Sequence, residues 1–530
     1  MTAPLTGGAA VVSALERNGV ATVFGIPGSH NLEIYRHLAE SSIEHVPVRH
    51  EQGGGYAADG YARAGGQPGV VITTTGPGLT NTCTPAATAY ADSIPILLIS
   101  PGVPQGIERA DVGWLHEMKD QHAHLDTLVQ RSVRVTSAEE AARTIDDTFA
   151  AWRVSRRRPV HLEVPLDVLD GPWSPEDGSD VPDLAPRALP SLPGDQVAQI
   201  SATLAGARRP ALVAGGGARE AADAVRAFAE QLQTPVVTTA NGKGVLPESH
   251  PLSLGASIRL RCVQRFLDRA DVLVVVGSEL GDSDLWGGTL QPGGTVIRID
   301  LDAGQLQKNL PASLTLQADA GQALTAILAD VAAAGREDRH AQIAELRREA
   351  DAEAMQDGAR YRAIQDALRS SLPADAIVAG DSAQVSYFGT VHFWPMDAPG
   401  RFLYPAGFAT LGYGLPAAIG AKLADRTATV VTVVGDGGFL FTAQELATAA
   451  ELGLCLPIVV VDNGGFAEIR EEMQSRGIAP LGVDRRSPDF AKLAEALGGR
   501  GVHAGGVEEL PRLVRESLEH PLPTVIALTI

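Results

Sequence analysis

Continuous apolar runs rich in β-branched residues, spaced by helix-length stretches, set the rhythm of this chain. Residues 428–434 (ATVVTVV) and 455–461 (CLPIVVV) are two such runs, and a run without polar alternation predicts a strand covered on both faces. Between them Leu446, Ala449, Ala450 and Leu452 carry an apolar helical stripe. Thr442 and Glu445 form a T-x-x-E pattern, which predicts a capping box opening that helix. Strand, crossover helix and strand of this length predict a right-handed βαβ unit in a parallel sheet.

The same rhythm recurs in three blocks, and the fold class it predicts is α/β with three doubly wound parallel-sheet domains. The first, 1–180, has predicted strands at 20–25, 69–75 and 94–100 and an Ala-rich helix at 80–91. Clustered Pro, Gly, Asp and Ser at 170–194 read as a linker. The second, 190–335, has strands at 210–214, 235–239, 272–277 and 295–299. A charged stretch at 336–360 reads as a helical connector with a solvated face. The third, 360–530, adds a strand at 376–379 to the two already described.

Composition narrows the function classes. At 530 residues and 45% hydrophobic the chain suits about three cores. A net charge of -20 argues against nucleic-acid or anionic-membrane partners, which need a basic face. The amino terminus has no basic n-region, and its VVSAL stretch is cut short by Glu16 and Arg17, so it reads as the first helix of a cytoplasmic enzyme. Cys83, Cys262 and Cys455 are widely spaced and read as buried free thiols.

The chemistry concentrates at the ends of the two first-named strands. Gly435-Asp436-Gly437-Gly438 follows one, and Asp462-Asn463-Gly464-Gly465 follows the other. A βαβ unit delivers both turns to the same carboxyl edge. Mg²⁺ takes oxygen ligands in near-octahedral geometry, which Asp436, the Asn463 amide and the Gly465 carbonyl would supply together with phosphate oxygens. The glycines let backbone approach a phosphate with no Cβ in the way.

This pair of turns resembles the signature of the thiamine-diphosphate enzymes of the acetolactate synthase and 2-oxo-acid decarboxylase type, and the resemblance spans essentially the whole chain. In that family GDG is followed by two asparagines. Asp462 departs from the first, while Asn463 keeps the position that ligates metal. The resemblance implies thiamine diphosphate and Mg²⁺ as cofactors, with a pyrimidine-binding domain first, a Rossmann-like domain in the centre and a diphosphate-binding domain last. Ala383 and Gln384, in the turn Gly380-Asp381-Ser382-Ala383-Gln384, match the family's diphosphate contacts; the bare alternative is a helix start capped by Asp381 or Ser382. Within 46–66 (VPVRHEQGGGYAADGYARAGG) Glu51 matches the glutamate that activates the aminopyrimidine, so that the imino tautomer takes the thiazolium proton, the ylid adds to a 2-oxo acid and an enamine follows CO₂ loss.

Further positions follow from the same resemblance. Pro27, Gly28 and Asn81 match the pyrimidine-side turns. Ala409 would accept from the 4'-amino group, and Leu411 matches the apolar wedge beneath the bent cofactor, unless it is simply core. Ser29 and His30 follow the turn that faces the reactive carbon, and Thr74 stands where benzoylformate-type decarboxylases carry a histidine. His116, followed by Glu117, Asp120 and Gln121, occupies the place of a pocket glutamine in acetolactate synthases, as a proton shuttle or a structural histidine. The segment 466–473 resembles that of 5-guanidino-2-oxopentanoate decarboxylases: Glu468, Glu471 and Glu472 either meet a cationic substrate tail or form a solvated helix face.

In the family the cofactor lies between the first domain of one subunit and the third of another, which implies at least a homodimer, with tetramers common, and a small 2-oxo acid as substrate. FAD fills the middle domain of acetolactate synthases; here Gly215-Gly216-Gly217 alone is a weak phosphate signal and does not favour it. The expected activity is decarboxylation to an aldehyde or a carboligation product. Acetolactate synthase is the second reading. A nonenzymatic cofactor-binding paralogue is the third, and it should lack Glu51.

Overall fold

The computed structural model describes residues 5–174, 189–331 and 337–530. Among these, every run predicted as a strand forms one, with ends displaced by a few residues, and all ladders between named strands are parallel. The first sheet contains β1 (Thr22–Gly25), β2 (Glu44–Pro47), β3 (Gly69–Ile72), β4 (Ile96–Gly102), β5 (Arg131–Arg134) and β6 (Val160–Pro165), in the order β2-β1-β3-β4-β6-β5. The second contains β7 (Pro210–Ala214), β8 (Val236–Thr238), β9 (Val272–Val276), β10 (Thr295–Asp300) and β11 (Leu314–Gln317), in the order β11-β10-β9-β7-β8. The third contains β12 (Ile377–Gly380), β13 (Phe402–Leu403), β14 (Val430–Gly435), β15 (Pro457–Asp462), β16 (Arg500–Ala504) and β17 (Thr524–Thr529), in the order β13-β12-β14-β15-β17-β16.

Burial explains why these runs lack alternation. In β7, Leu212 and Ala214 pack with the helices Gly194–Gly206, Ala222–Leu232 and Ala320–Ala329, whereas Ala211 and Val213 pack with Arg261–Asp268 and His340–Arg369. Both faces are therefore covered, as in a doubly wound sheet. Inner strands such as β4 are buried throughout, while the edge strands β2 and β5 expose part of their length.

By contact the chain divides into two units, Met1–Ala188 with Leu415–Thr427 and Thr442–Leu454, and Leu189–Gly414 with Ala428–Phe441 and Cys455–Ile530. The first unit thus includes helix residues that follow the third sheet's strands. Gly60 and Gly420 permit this contact: a Cβ on Gly60 would fall on the Ala417 carbonyl, and one on Gly420 on that of Ala57.

Several expectations need correction. No capping box opens at Thr442, because the chain is already helical from Asp436 to Thr442; the next helix, Glu445–Glu451, has Gln444 as its N-cap with no side-chain cap bond. Gly216–Ala221 is a 3₁₀ turn, and Gly215 and Gly217 are accounted for by chain packing, since a Cβ on Gly217 would lie 2.9 Å from the Gly277 Cα. The connector is, as expected, a helix with a solvated face, His340–Arg369, whose opposite stripe, including Ile343, Leu346, Ala350, Tyr361 and Leu368, is buried. Cys262 is buried, but Cys83 and Cys455 are only partly so; all three are free. Residues 175–188 of the expected linker lie outside the described residues, as do 332–336.

Candidate active site

In the first unit, three strand ends of one sheet converge. Glu51 is the first residue of the helix Glu51–Gly65 that follows β2, and it is 8% exposed. Its N-cap, His50, accepts from Gln52 N through Nδ1 at 3.1 Å. Asn81, beyond β3, donates through Nδ2 to Glu51 Oε2 at 2.9 Å. Gly78 lets that turn close over the acid, because a Cβ there would lie 3.2 Å from Glu51 Oε1 and 2.8 Å from Thr74 Cγ2. Gly28, beyond β1, meets Thr74 from the other side, and Asn31 Oδ1 accepts from Gly28 N at 2.7 Å. Pro27 and Ser29 are exposed at the same turn. Glu51, Asn81, Thr74 and Gly28 are therefore neighbours.

His30 and His116 also meet. Their ring centroids are 5.1 Å apart edge to face, His30 stacks on Trp114 at 6.4 Å, and His30 Nδ1 is hydrogen-bonded to the Thr75 hydroxyl. Burial, and then the neighbouring His116, lower the His30 pKa. His116 itself has φ +64 and a buried Nδ1 with no hydrogen-bond partner. Its followers are structural: Glu117 accepts from the backbone of Val112, Gly113 and Trp114, Asp120 caps the helix Gln121–Asp126, and Gln121 accepts from Gly76 N at 3.0 Å.

In the second unit, the register pairing Gly435 with Val461 sets Asp436 beside Asp462 and Asn463. Asp436 is 4% exposed. Burial, with the Asp462 charge second, raises its pKa, against which the N–H groups of Gly465, Gly437 and Asn463 act. Gly465 has φ +121 and no space for a Cβ, which would fall on the Val483 carbonyl. Asp462 Oδ1 accepts from Gly464 N at 3.0 Å and from the Ser487 hydroxyl at 2.9 Å, two bonds that an asparagine oxygen would also accept, so the departure from asparagine has no structural explanation in them.

Asn463 Oδ1 is buried without a partner. A chain of bonds runs through the neighbouring turn. Tyr361 donates to Gln384 Oε1 at 2.7 Å, and Gln384 Nε2 donates to Glu468 Oε2 and Glu471 Oε2, each at 2.9 Å. The Gln384 side chain is committed to these acids, which leaves its backbone for any phosphate. Ala383 borders the Gly435–Gly438 turn: a Cβ on Gly435 would lie 3.3 Å from the Ala383 Cβ.

Asp381 is not a helix cap. It is 1% exposed and accepts from Ser382 N at 2.8 Å, Gly412 N at 2.9 Å and Gly414 N at 3.4 Å, which fastens the loop bearing Ala409 and Leu411. Burial raises its pKa to about 6. Ala409 is exposed at φ +51, and Leu411 is half-buried.

A cavity of ≈ 210 Å³ in this unit reaches Ser382 and Ala409 and is lined by Arg259, Asp284, Trp286, Tyr387, Tyr404 and Glu468. Glu468 also accepts from the Tyr387 hydroxyl at 3.0 Å. Glu471 is shared with Arg360 at 3.6 Å, and Glu472 pairs with Arg476, so only Glu468 of the three acids faces the cavity. Arg259, which no local pattern marks, is held between Trp286 and Phe388 at 4.9 and 4.8 Å, with Nη1 buried and unpartnered.

Three family models match the sequence: thiamine pyrophosphate enzyme, N-terminal TPP binding domain, over 5–124; central domain, over 197–327; and C-terminal TPP binding domain, over 383–528. The chain belongs to the thiamine pyrophosphate enzymes. The Pseudomonas aeruginosa protein named "Probable 2-ketoarginine decarboxylase AruI" is 41% identical over 528 residues, covering 99% of this chain and 94% of the relative. The "Probable acetolactate synthase large subunit" of Methanocaldococcus jannaschii is 31% identical over 554 residues, covering 99% and 92%. "Acetolactate synthase isozyme 1 large subunit" of Escherichia coli is 32% identical over 474 residues, covering 88% and 83%.

The residues of this thiamine pyrophosphate enzyme fit its cofactor and Mg²⁺. A buried amide oxygen with no partner, a buried carboxylate beside it and a glycine carbonyl in a turn closed to side chains form a hard-oxygen donor set. Among the described residues no cluster of three His, Cys, Asp or Glu offers a rival metal site. No helix among them is long and apolar enough to cross a membrane.

Proposed function

We propose that this thiamine pyrophosphate enzyme decarboxylates a 2-oxo acid whose side chain ends in a cation, of the 5-guanidino-2-oxopentanoate class, and releases an aldehyde. The observation that carries this reading is Glu468, locked by Tyr387 and Gln384 on the wall of a cavity that extends to Ser382 and Ala409. A carboxylate fixed by two donors is preorganised to accept a guanidinium, and Asp284 adds a second acid to the same wall. The printed name of the Pseudomonas relative supports the same class.

The proposed roles follow the donor set. Asp436, Asn463 and the Gly465 carbonyl hold Mg²⁺, while backbone at Gly435, Gly437, Gly438, Ala383 and Gln384 receives the diphosphate. Following the family arrangement, Pro27, Gly28 and Asn81 of one subunit, with the Ala409 carbonyl and Leu411 of another, would hold the organic part of the cofactor. When bound, thiamine diphosphate supplies a nucleophilic carbon and an electron sink. Glu51, held by Asn81, keeps a proton at the aminopyrimidine N1'. Ser29 and Thr74 border the reacting end. His30, kept neutral by burial, and His116 beside it hold or move a proton there.

The proposed domain bounds are 1–180, 190–335 and 360–530, supported by the three sheets. A homodimer or larger assembly is proposed from the family arrangement, in which the cofactor lies between two subunits; Phe408, Leu440 and Phe441, 46% to 49% exposed, are apolar surface available to such an interface. Three free thiols support a reducing, cytoplasmic setting.

The test is CO₂ release by purified enzyme with thiamine diphosphate and Mg²⁺ from 5-guanidino-2-oxopentanoate, pyruvate, 2-oxobutyrate, branched 2-oxo acids and benzoylformate, with product identification. Preference for the guanidino acid is expected. Preferential conversion of pyruvate to acetolactate would replace this reading with the synthase.

A further inference from the structure

We infer that Glu445 is a positioning residue for Glu51. Glu445 begins the helix Glu445–Glu451, far from Glu51 in sequence, yet both lie in the first unit. Its carboxylate is 1% exposed and is spent on the turn immediately before Glu51. Oε1 accepts from Arg49 N at 3.1 Å and from His50 N at 2.9 Å, and Oε2 accepts from Arg49 N at 3.2 Å and from the Thr448 hydroxyl at 2.7 Å. Arg49 is tethered to the same helix a second time through Glu451.

These two N–H groups lie where the chain leaves β2 and enters the helix headed by Glu51. Without an acceptor they would be free to rotate the turn, and with it the side chain that meets Asn81. The helix has made room for the acid: Gly53, one turn in, has no space for a Cβ, which would fall on Glu445 Oε1. An ionised carboxylate at a helix amino terminus is also favoured by the helix dipole. Buried, locally satisfied and shaped into the neighbouring helix, Glu445 holds the backbone that aims Glu51.

This inference rests on Glu51 acting at the aminopyrimidine, so the experiment includes Glu51→Gln. Four further proteins are compared: Glu445→Ala, Glu445→Gln, Gly53→Ala, and Gly53→Ala combined with Glu445→Ala. Turnover is measured at saturating cofactor and substrate. Amide hydrogen exchange of the 46–52 segment is followed in the cofactor-free protein, where no catalysis contributes. Glu445→Ala is expected to lower kcat at least tenfold with KM changed less than threefold, and to raise exchange at Arg49 and His50. Glu445→Gln, which keeps an acceptor for both N–H groups, is expected to recover kcat to within about threefold. Gly53→Ala alone should resemble Glu445→Ala, and should add less than a further twofold once Glu445 is alanine, because its clash is gone. Wild-type kcat and wild-type exchange in Glu445→Ala would overturn the positioning role, as would strictly multiplicative losses in the double variant. Full activity in Glu51→Gln would instead remove the assignment of Glu51 and, with it, this one.

Discussion

Replacing Asn463 by alanine distinguishes a metal ligand from a structural amide before any turnover is measured. Oδ1 is buried with no partner among the protein's own groups, so its removal breaks no protein hydrogen bond at that atom and leaves no donor unpaired. The cofactor-free variant should therefore lie within about 2 kcal/mol of wild type. Ligand binding should lose more. Saturation at 100 times Kd adds about 2.7 kcal/mol to the folded state. Loss even of an outer partner of a metal ligand weakens a site about 10–100-fold, and a 100-fold loss would reduce that increment to about 0.4 kcal/mol at the same concentration. The assay is the thermal midpoint with and without thiamine diphosphate and Mg²⁺, with a calorimetric Mg²⁺ titration alongside. A cofactor-free variant that unfolds much earlier than wild type, yet keeps the full ligand-induced rise, would refute the argument.

Glu51→Gln should reduce turnover by at least about 10²-fold, the usual contribution of a positioned acid or base, while cofactor affinity by calorimetry stays within about threefold; retained turnover would contradict its role. Glu468→Gln should lower kcat/KM for 5-guanidino-2-oxopentanoate by about tenfold or more, the value of a charge-assisted bond, and leave pyruvate nearly unaffected. Equal losses on both substrates would remove Glu468 from recognition. Asp381 provides a pH test. Burial raises its folded pKa to about 6 from 3.8, so the folded state binds the proton more tightly than the unfolded state. Its stabilising contribution is complete below about pH 4 and is lost as pH rises through about 6, by up to about 3 kcal/mol. The thermal midpoint of Asp381→Asn should therefore fall less steeply than wild type between those limits, and parallel pH profiles would exclude the effect.

Some of this protein was settled by local sequence. Runs such as PALVA in β7 and VLVVV in β9 admit no exposed face, so covered parallel strands follow from residue type alone. Because the two strands of a βαβ unit run parallel, the two Gly-rich turns had to share an edge, which places Asp436 beside Asn463. Glu51 sits at a strand-to-helix junction, where position alone reads as a helix-terminus charge; only the resemblance of its flanking segment to the family's glutamate singled it out. Edge strands were not legible: RSVR in β5 is short and polar, and β13 has two residues, so neither leaves a periodic trace. Tertiary structure alone decided what the polar residues do. Thr442 and Glu445 carry a capping pattern, but a helix already runs through Thr442, and the Glu445 carboxylate satisfies N–H groups near residue 50 instead. Asp381 looked like a cap and is the buried anchor of the Gly412–Gly414 backbone. Arg259, Trp286 and Tyr387 have no shared spacing, yet together they wall one cavity. Periodicity records which side of an element is dry, a property of neighbouring residues. A hydrogen bond or a cavity records which distant segments meet, and that depends on how the packed elements arrange themselves after each has formed.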